Sequence, residues 1–262
     1  MSLLGFAALL ASAAGAFDRG ADGEFESRSS AHFNLYQDVA IDRAGGIYGT
    51  RHFEQQVLAE LERAYDALDA YLGLRAARRI DVVIYDPGAF DREFAGAFRF
   101  SAAGFYHGVI RVRGATALDV PLARVLHHEL VHAALDASAP SYSPPAWLNE
   151  GLAEWFEART QGKRRLSQGE LAFLTGARAS GAWFSLASLS TPSFGHLNPN
   201  AARLAYLQSY GMVEFLAQQR GERSLREFCE RLLRTHNLER ALQQVYRSDL
   251  RVLEARFAAE LG

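Results

Sequence analysis

The chain has 262 residues, 49% hydrophobic and 22% charged, with a formal net charge of -2 and one cysteine. That length supports one large domain or two closely packed ones, and the near-neutral charge without an arginine-rich run gives no electrostatic case for nucleic-acid binding. A lone Cys229 excludes intrachain disulfides and argues against thiolate ligation of a metal.

In chain order, Met1 to Ala16 comes first. It carries no charge, has an apolar run (Leu3, Leu4, Phe6 to Leu10), and ends Ala14-Gly15-Ala16, a small-x-small cleavage pattern. It reads as a secretory signal peptide without the usual positive start, too short to span a membrane. No cysteine follows to carry a lipid anchor, so the expected location is periplasmic or secreted. The organisation expected beyond it is an α+β half over 17–136 and a helical half over 137–262.

Ala31 to Tyr36 alternates apolar and polar residues and predicts a first strand. Arg51 to Leu72 predicts a long amphipathic helix (Phe53, Val57, Leu61, Tyr65, Leu68) closed by Gly73. Ile80 to Tyr85 is a short apolar run, hence a buried strand, and Asp86-Pro87-Gly88 turns it into a short helix around Phe90 to Phe94. Residues 103–113, with a turn at His107-Gly108, predict a β-hairpin.

Asp119 then caps a helix with Pro121 in its first turn, and Leu122, Val125, Leu126, Leu130 and Ala133 form its core-facing stripe. Inside it stands His128-Glu129-Leu130-Val131-His132. His128 and His132, at i and i+4, lie on one face and both reach one tetrahedral Zn²⁺, while Glu129, about 100° round the helix, is placed to take a proton from a metal-polarised water. His127 points away from that face and reads as structural or surface, as does His107. A proline-rich break over 138–145 ends the helix. A second helix opens at Trp147-Leu148-Asn149-Glu150-Gly151 and carries Glu150 and Glu154 one turn apart. If it folds back on the first, one carboxylate completes a His₂Glu site and the other accepts the free N–H of a ligating histidine. Glu157 extends this stripe and reads as solvated surface.

The remainder predicts helices near 167–178, 199–220, 224–235, 237–246 and 248–261, with Phe184 to Asn200 as an irregular cleft wall. Ser224-x-x-Glu227 reads as a capping box, and Cys229 as a packed small hydrophobe.

His128-Glu129-x-x-His132 followed by Trp147-Leu148-Asn149-Glu150-Gly151 resembles the gluzincin peptidases, and over 127–157 the bacterial peptidase MA-like proteins. A metzincin would need glycine at 135 and histidine at 138, where the chain has Leu135 and Ser138. The resemblance implies an α+β zincin-like fold: a small N-terminal β-sheet packed on the helix of the motif, and a mainly α-helical C-terminal half. It implies one Zn²⁺ on His128, His132 and Glu150, with Glu154 supporting a ligand. It further implies peptide-bond hydrolysis with Glu129 as base, a substrate strand paired to the 103–113 edge, and an oxyanion donor in the helical half. For that donor Tyr206 is favoured over Tyr210, with His196 the alternative. The rival function is a zincin-fold binding or assembly protein with a structural or vestigial zinc. Closing a structural site needs a fourth protein ligand, and no cysteine lies near.

Overall fold

The computed structural model describes residues 25–38, 49–94, 103–140 and 142–261. The segment read as a signal peptide lies outside them. Five strands and nine helices occur among the described residues, and none of those helices is long and apolar enough to cross a membrane.

The strands β1 (Phe25–Ser29), β2 (Phe33–Asp38), β3 (Ile80–Tyr85), β4 (Gly104–Tyr106) and β5 (Ile110–Arg113) form one sheet in the order β1-β2-β3-β5-β4. The central pairs β2–β3 and β3–β5 are parallel, and the two edge pairs are antiparallel. β3 lacks polar alternation because it is covered on both faces. Leu35, Val82 and Ile110 align across neighbouring strands and pack toward the helices, while Val83 and Tyr85 pack with Phe90 on the opposite face. The strand expected at 31–36 lies two residues later. β1, whose FESRS sequence has no apolar alternation, was not predicted; it is held by pairing to β2 rather than by its own pattern.

The helices are α1 (Gly49–Leu72), α2 (Pro87–Phe94), α3 (Val120–Ser138), α4 (Ala146–Thr160), α5 (Gln168–Ala179), α6 (Pro199–Arg220), α7 (Glu222–Thr235), α8 (Leu238–Tyr246) and α9 (Leu250–Glu260). α1 ends at Gly73, whose φ of +67° favours glycine, and the Gly73 N–H closes the last turn on Asp69. α3 starts as expected: Asp119 accepts the Leu122 N–H at 2.8 Å and Pro121 occupies the first turn. The capping box expected at Ser224 and Glu227 does not form. Only Gly221 separates α6 from α7, so Ser224 already lies inside the first turn and its hydroxyl donates to the Arg220 carbonyl. A capping box forms instead at Ser167 and Glu170.

One apolar core runs from Phe33 through α1 and α3 to Phe257 and Leu261, with Trp147, Trp155 and Phe156 fully buried within it. α3 lies between the sheet and the helical half, and α4 packs on both α3 and α6. The motif helix is therefore held on both sides by the bulk of the protein, where burial rather than propensity fixes its position.

Candidate metal centre

α3 carries His128 and His132 on one face, their ring centroids 5.0 Å apart. α4 folds back so that Glu150 Oε2 lies 3.4 Å from His128 Nε2 and 3.5 Å from His132 Nε2. Tetrahedral ligands at zinc bond lengths stand about 3.4 Å from one another, and both distances to Glu150 match that spacing. The sequence left Glu150 and Glu154 open until the resemblance chose between them; in the structure it is Glu150 that meets both Nε2 atoms. Among the described residues two groups bring their donor atoms within 4.8 Å of one another, these three and His128 with Glu154 and Glu157, and only the first joins both histidines.

The other ring nitrogens are also engaged. His132 Nδ1 donates to Asn149 Oδ1 at 3.0 Å, which leaves the Nε2 lone pair directed at the Glu150 side. His128 Nδ1 lies 3.5 Å from Glu157 Oε2 and 3.8 Å from Glu154 Oε1. Glu157 is thus not solvated surface. It is buried, paired with Arg124 at 2.5 Å, and nearer to the His128 ring than Glu154 is. One further turn of helix brings it under α3 because α4 crosses α3 at that point. His127 is buried as well, with Nδ1 2.8 Å from the Thr160 hydroxyl and Nε2 2.9 Å from Glu60; it is a structural tie between α3, α4 and α1.

The electrostatics call for a cation. Burial opposes charge on His128, yet Glu150, Glu157, Glu129 and Glu154 together hold its pKa well above the ordinary value. His132 is raised in the same way, chiefly by Glu150 against burial. Burial likewise opposes charge on Glu150, but His132 and His128 bring its pKa down to about 2. Carboxylates so placed around two imidazoles are the environment a divalent ion would neutralise.

Glu129 is buried, and burial pushes its pKa up, offset in part by His128 and His132. Its carboxylate accepts the backbone N–H of Tyr106, so the edge strand holds the candidate base in place. That strand lies tight on α3: a Cβ on Gly104 would stand 2.5 Å from Val125 Cγ1. β4 is an edge strand, as the resemblance implied for 103–113.

The centre opens into a cleft of about 500 Å³, bordered by β4, by α3 and by the irregular segment at Pro192 to Gly195. Tyr206 of α6 lines it, and Tyr210 and His196 do not. Tyr206 packs edge-on against Phe194, and burial, then the charges of Glu150, Glu154 and Glu129, push its pKa far up, so it remains a donor. Tyr210 turns into the core, beneath Lys163 at 4.6 Å. His196 is exposed in its loop. Four features were not read from the sequence as parts of the site: the Asn149 side chain, the Tyr106 N–H, Glu157 and Asp136. Asp136 alone left a usable signal, since it continues the i, i+4 row of His128 and His132 and lines the cleft.

A model of the Peptidase MA superfamily matches residues 63–261. No curated protein matches the chain. Among solved structures it is similar to yeast LTA4 hydrolase, with a TM-score of 0.53 and 13% identity, over 88% of this chain and 38% of that one. An M1 zinc metallopeptidase from Deinococcus radiodurans matches with a TM-score of 0.48 and 14% identity, over 91% of this chain and 52% of that one. The chain thus spans less than two thirds of either neighbour's length. The likeness to the yeast protein is one of fold, and it matches the α+β zincin-like architecture described above.

Proposed function

Because the chain belongs to the Peptidase MA superfamily, we propose that it is a zinc metallopeptidase of gluzincin type, with His128, His132 and Glu150 holding one Zn²⁺ and Glu129 acting as general base. The observation that carries this reading is the meeting of His128 Nε2, His132 Nε2 and Glu150 Oε2 at 3.4 and 3.5 Å in a cleft that Glu129 and Tyr206 also line. Zinc held there supplies Lewis-acid polarisation of a water and of the scissile carbonyl.

The chain's own residues do the rest. Glu129 takes a proton from the attacking water as its oxygen bonds to the carbonyl carbon. The same carboxyl returns that proton to the amide nitrogen as the C–N bond breaks, which leaves a carboxylic acid and an amine that then exchange a proton to become carboxylate and ammonium. Its burial suits it to both halves of this exchange, since a raised pKa brings it nearer to neutrality. Tyr206 donates a hydrogen bond to the developing oxyanion from the opposite wall. The unpaired side of β4 offers backbone groups that hold an extended peptide across the cleft.

The test is Glu129→Gln. Elemental analysis should find zinc retained, while cleavage of a broad peptide library falls by about 10²–10⁴-fold. Normal turnover in that variant would overturn the assignment of Glu129. Glu150→Ala should lose the metal at neutral pH, and full zinc affinity in it would move the third ligand elsewhere. The apolar Met1–Ala16 segment supports export of the enzyme, which cell fractionation with sequencing of the mature N-terminus checks.

A further inference from the structure

We propose that Asp136, held by Tyr106, is a specificity-determining carboxylate that binds an organic cation of the substrate beside the scissile bond. The proposal rests on the peptidase reading above and names the class of peptide that the cleft takes.

Asp136 follows His132 by four residues and so continues the row of His128 and His132, about 6 Å further along the helix. It lines the same cleft, with Tyr106 and Tyr142 beside it. The Tyr106 hydroxyl donates to Asp136 Oδ2 at 2.7 Å, and no other side-chain or backbone donor to this carboxylate occurs among the described residues. One oxygen is thereby fixed in orientation and the other is left to a ligand. Burial and the Asp136 charge raise the Tyr106 pKa, so the phenol stays a donor and cannot itself supply a positive charge.

Charge balance points to the ligand. Apart from three tyrosines, the titratable residues lining the cleft are His128, His132, Glu129, Asp136 and Glu150, and no lysine or arginine lines it among the described residues. A divalent ion would balance Glu129 and Glu150 with both histidines neutral, which leaves Asp136 as one negative charge in excess among the described lining residues. Arg78, whose charge reaches Tyr106, is exposed and does not line the cleft. A half-buried carboxylate in this setting favours a cationic substrate group over a neutral one of the same size. A separation of about 6 Å corresponds to about two residues of extended chain, so the cation belongs to a residue near the scissile bond. Two groups supply such a cation, a lysine or arginine side chain and a free amino terminus.

The experiment uses the zinc-loaded full chain and synthetic peptides that carry lysine or norleucine at each position within three residues of the cleaved bond. Each is made with a free and with an acetylated amino terminus. The wild type should prefer the cationic member by about tenfold or more in kcat/KM, mostly through KM, as expected for a binding interaction away from the reacting atoms. Asp136→Asn should bring that ratio close to one, and Tyr106→Phe, which frees the carboxylate to reorient, should lower it part-way. Asp136→Ser replaces Asp136→Asn if the latter does not fold. Loss of the lysine preference identifies a side chain, and loss of the free-terminus preference identifies the amino terminus; both support the proposal. No cation preference in the wild type, or one that survives in Asp136→Asn, overturns it. If the wild type cleaves nothing, the peptidase reading fails separately. The same ratios measured as Kd by calorimetry on zinc-loaded Glu129→Gln then decide the cation subsite alone.

Discussion

A Cβ on Gly151 would lie 2.6 Å from the Ser209 carbonyl oxygen, so the backbone of the helix that carries Glu150 runs directly against that of the helix that carries Tyr206. The contact falls one residue after Glu150 and within one turn of Tyr206. It sets how far the candidate third ligand stands from the candidate oxyanion donor, and a buried Trp155–Glu214 hydrogen bond of 2.9 Å holds the same two helices one turn further on.

Gly151→Ala should therefore push α4 from α6 and destabilise the protein by about 1–3 kcal/mol, the usual cost of overpacking against backbone. Gly176, in mid-α5 with nothing within 4 Å of an added Cβ, is the contrasting site. Gly176→Ala should stabilise by roughly 0.5–1 kcal/mol through helix propensity. Denaturant midpoints of the two variants should move in opposite directions.

Asn149→Ala removes the acceptor that orients His132 and should weaken zinc binding by about 10–100-fold. Competition with a chromophoric chelator measures it. Unchanged affinity would mean that the 3.0 Å contact does not select the His132 tautomer.

Glu157 and Glu154 can be ranked against each other. Glu157 is nearer to His128 Nδ1 and is itself fixed by Arg124, so Glu157→Gln should reduce zinc affinity more than Glu154→Gln, by about tenfold or more against a smaller change. The reverse order would return the supporting role to Glu154.

Glu214 is buried and receives hydrogen bonds from Trp155, Arg159 and Gln218. Glu214→Ala leaves the buried Arg159 with Glu222 as its remaining carboxylate partner, and should cost about 3–5 kcal/mol in urea unfolding.

Glu62 ties β2 to α1 by accepting from Ser30 and from His32, whose backbone and ring both contribute. Burial tends to raise its pKa, but these hydrogen bonds win and hold it below the ordinary 4.5. A folded-state pKa below the unfolded one gives stability that is present above pH 4.5 and lost as pH falls through the folded value. Wild type should thus exceed Glu62→Gln in stability at neutral pH, with the gap closing below pH 4.5 in a pH series of urea midpoints.

Much of this was legible in the sequence because it is local. The cap at Asp119, the i and i+4 histidines, the apolar β3 and the hairpin at 103–113 each depend on near neighbours and came out as expected. The failures are equally specific. The FESRS strand β1 has no pattern of its own and forms only because β2 offers an edge. Ser224 and Glu227 fit a capping box, but the helix already begins at Glu222, three residues before that motif allows.

The sequence by itself determined the chemistry available: two imidazoles and a carboxylate base on one helix, and a second helix with acids at one-turn spacing, since a helix fixes which side chains share a face. Only the tertiary structure decided which acid meets which histidine nitrogen. Glu150, Glu154 and Glu157 lie on neighbouring turns of α4. The packing of α4 between α3 and α6, with the glycine contact to Ser209 on one side and Trp147 and Trp155 buried, turns Glu150 to the Nε2 atoms and Glu157 to Nδ1 of His128. The same packing brings Tyr206 to the cleft and sends Tyr210 into the core. Spacing along a chain defines a face, and packing between helices decides what that face meets.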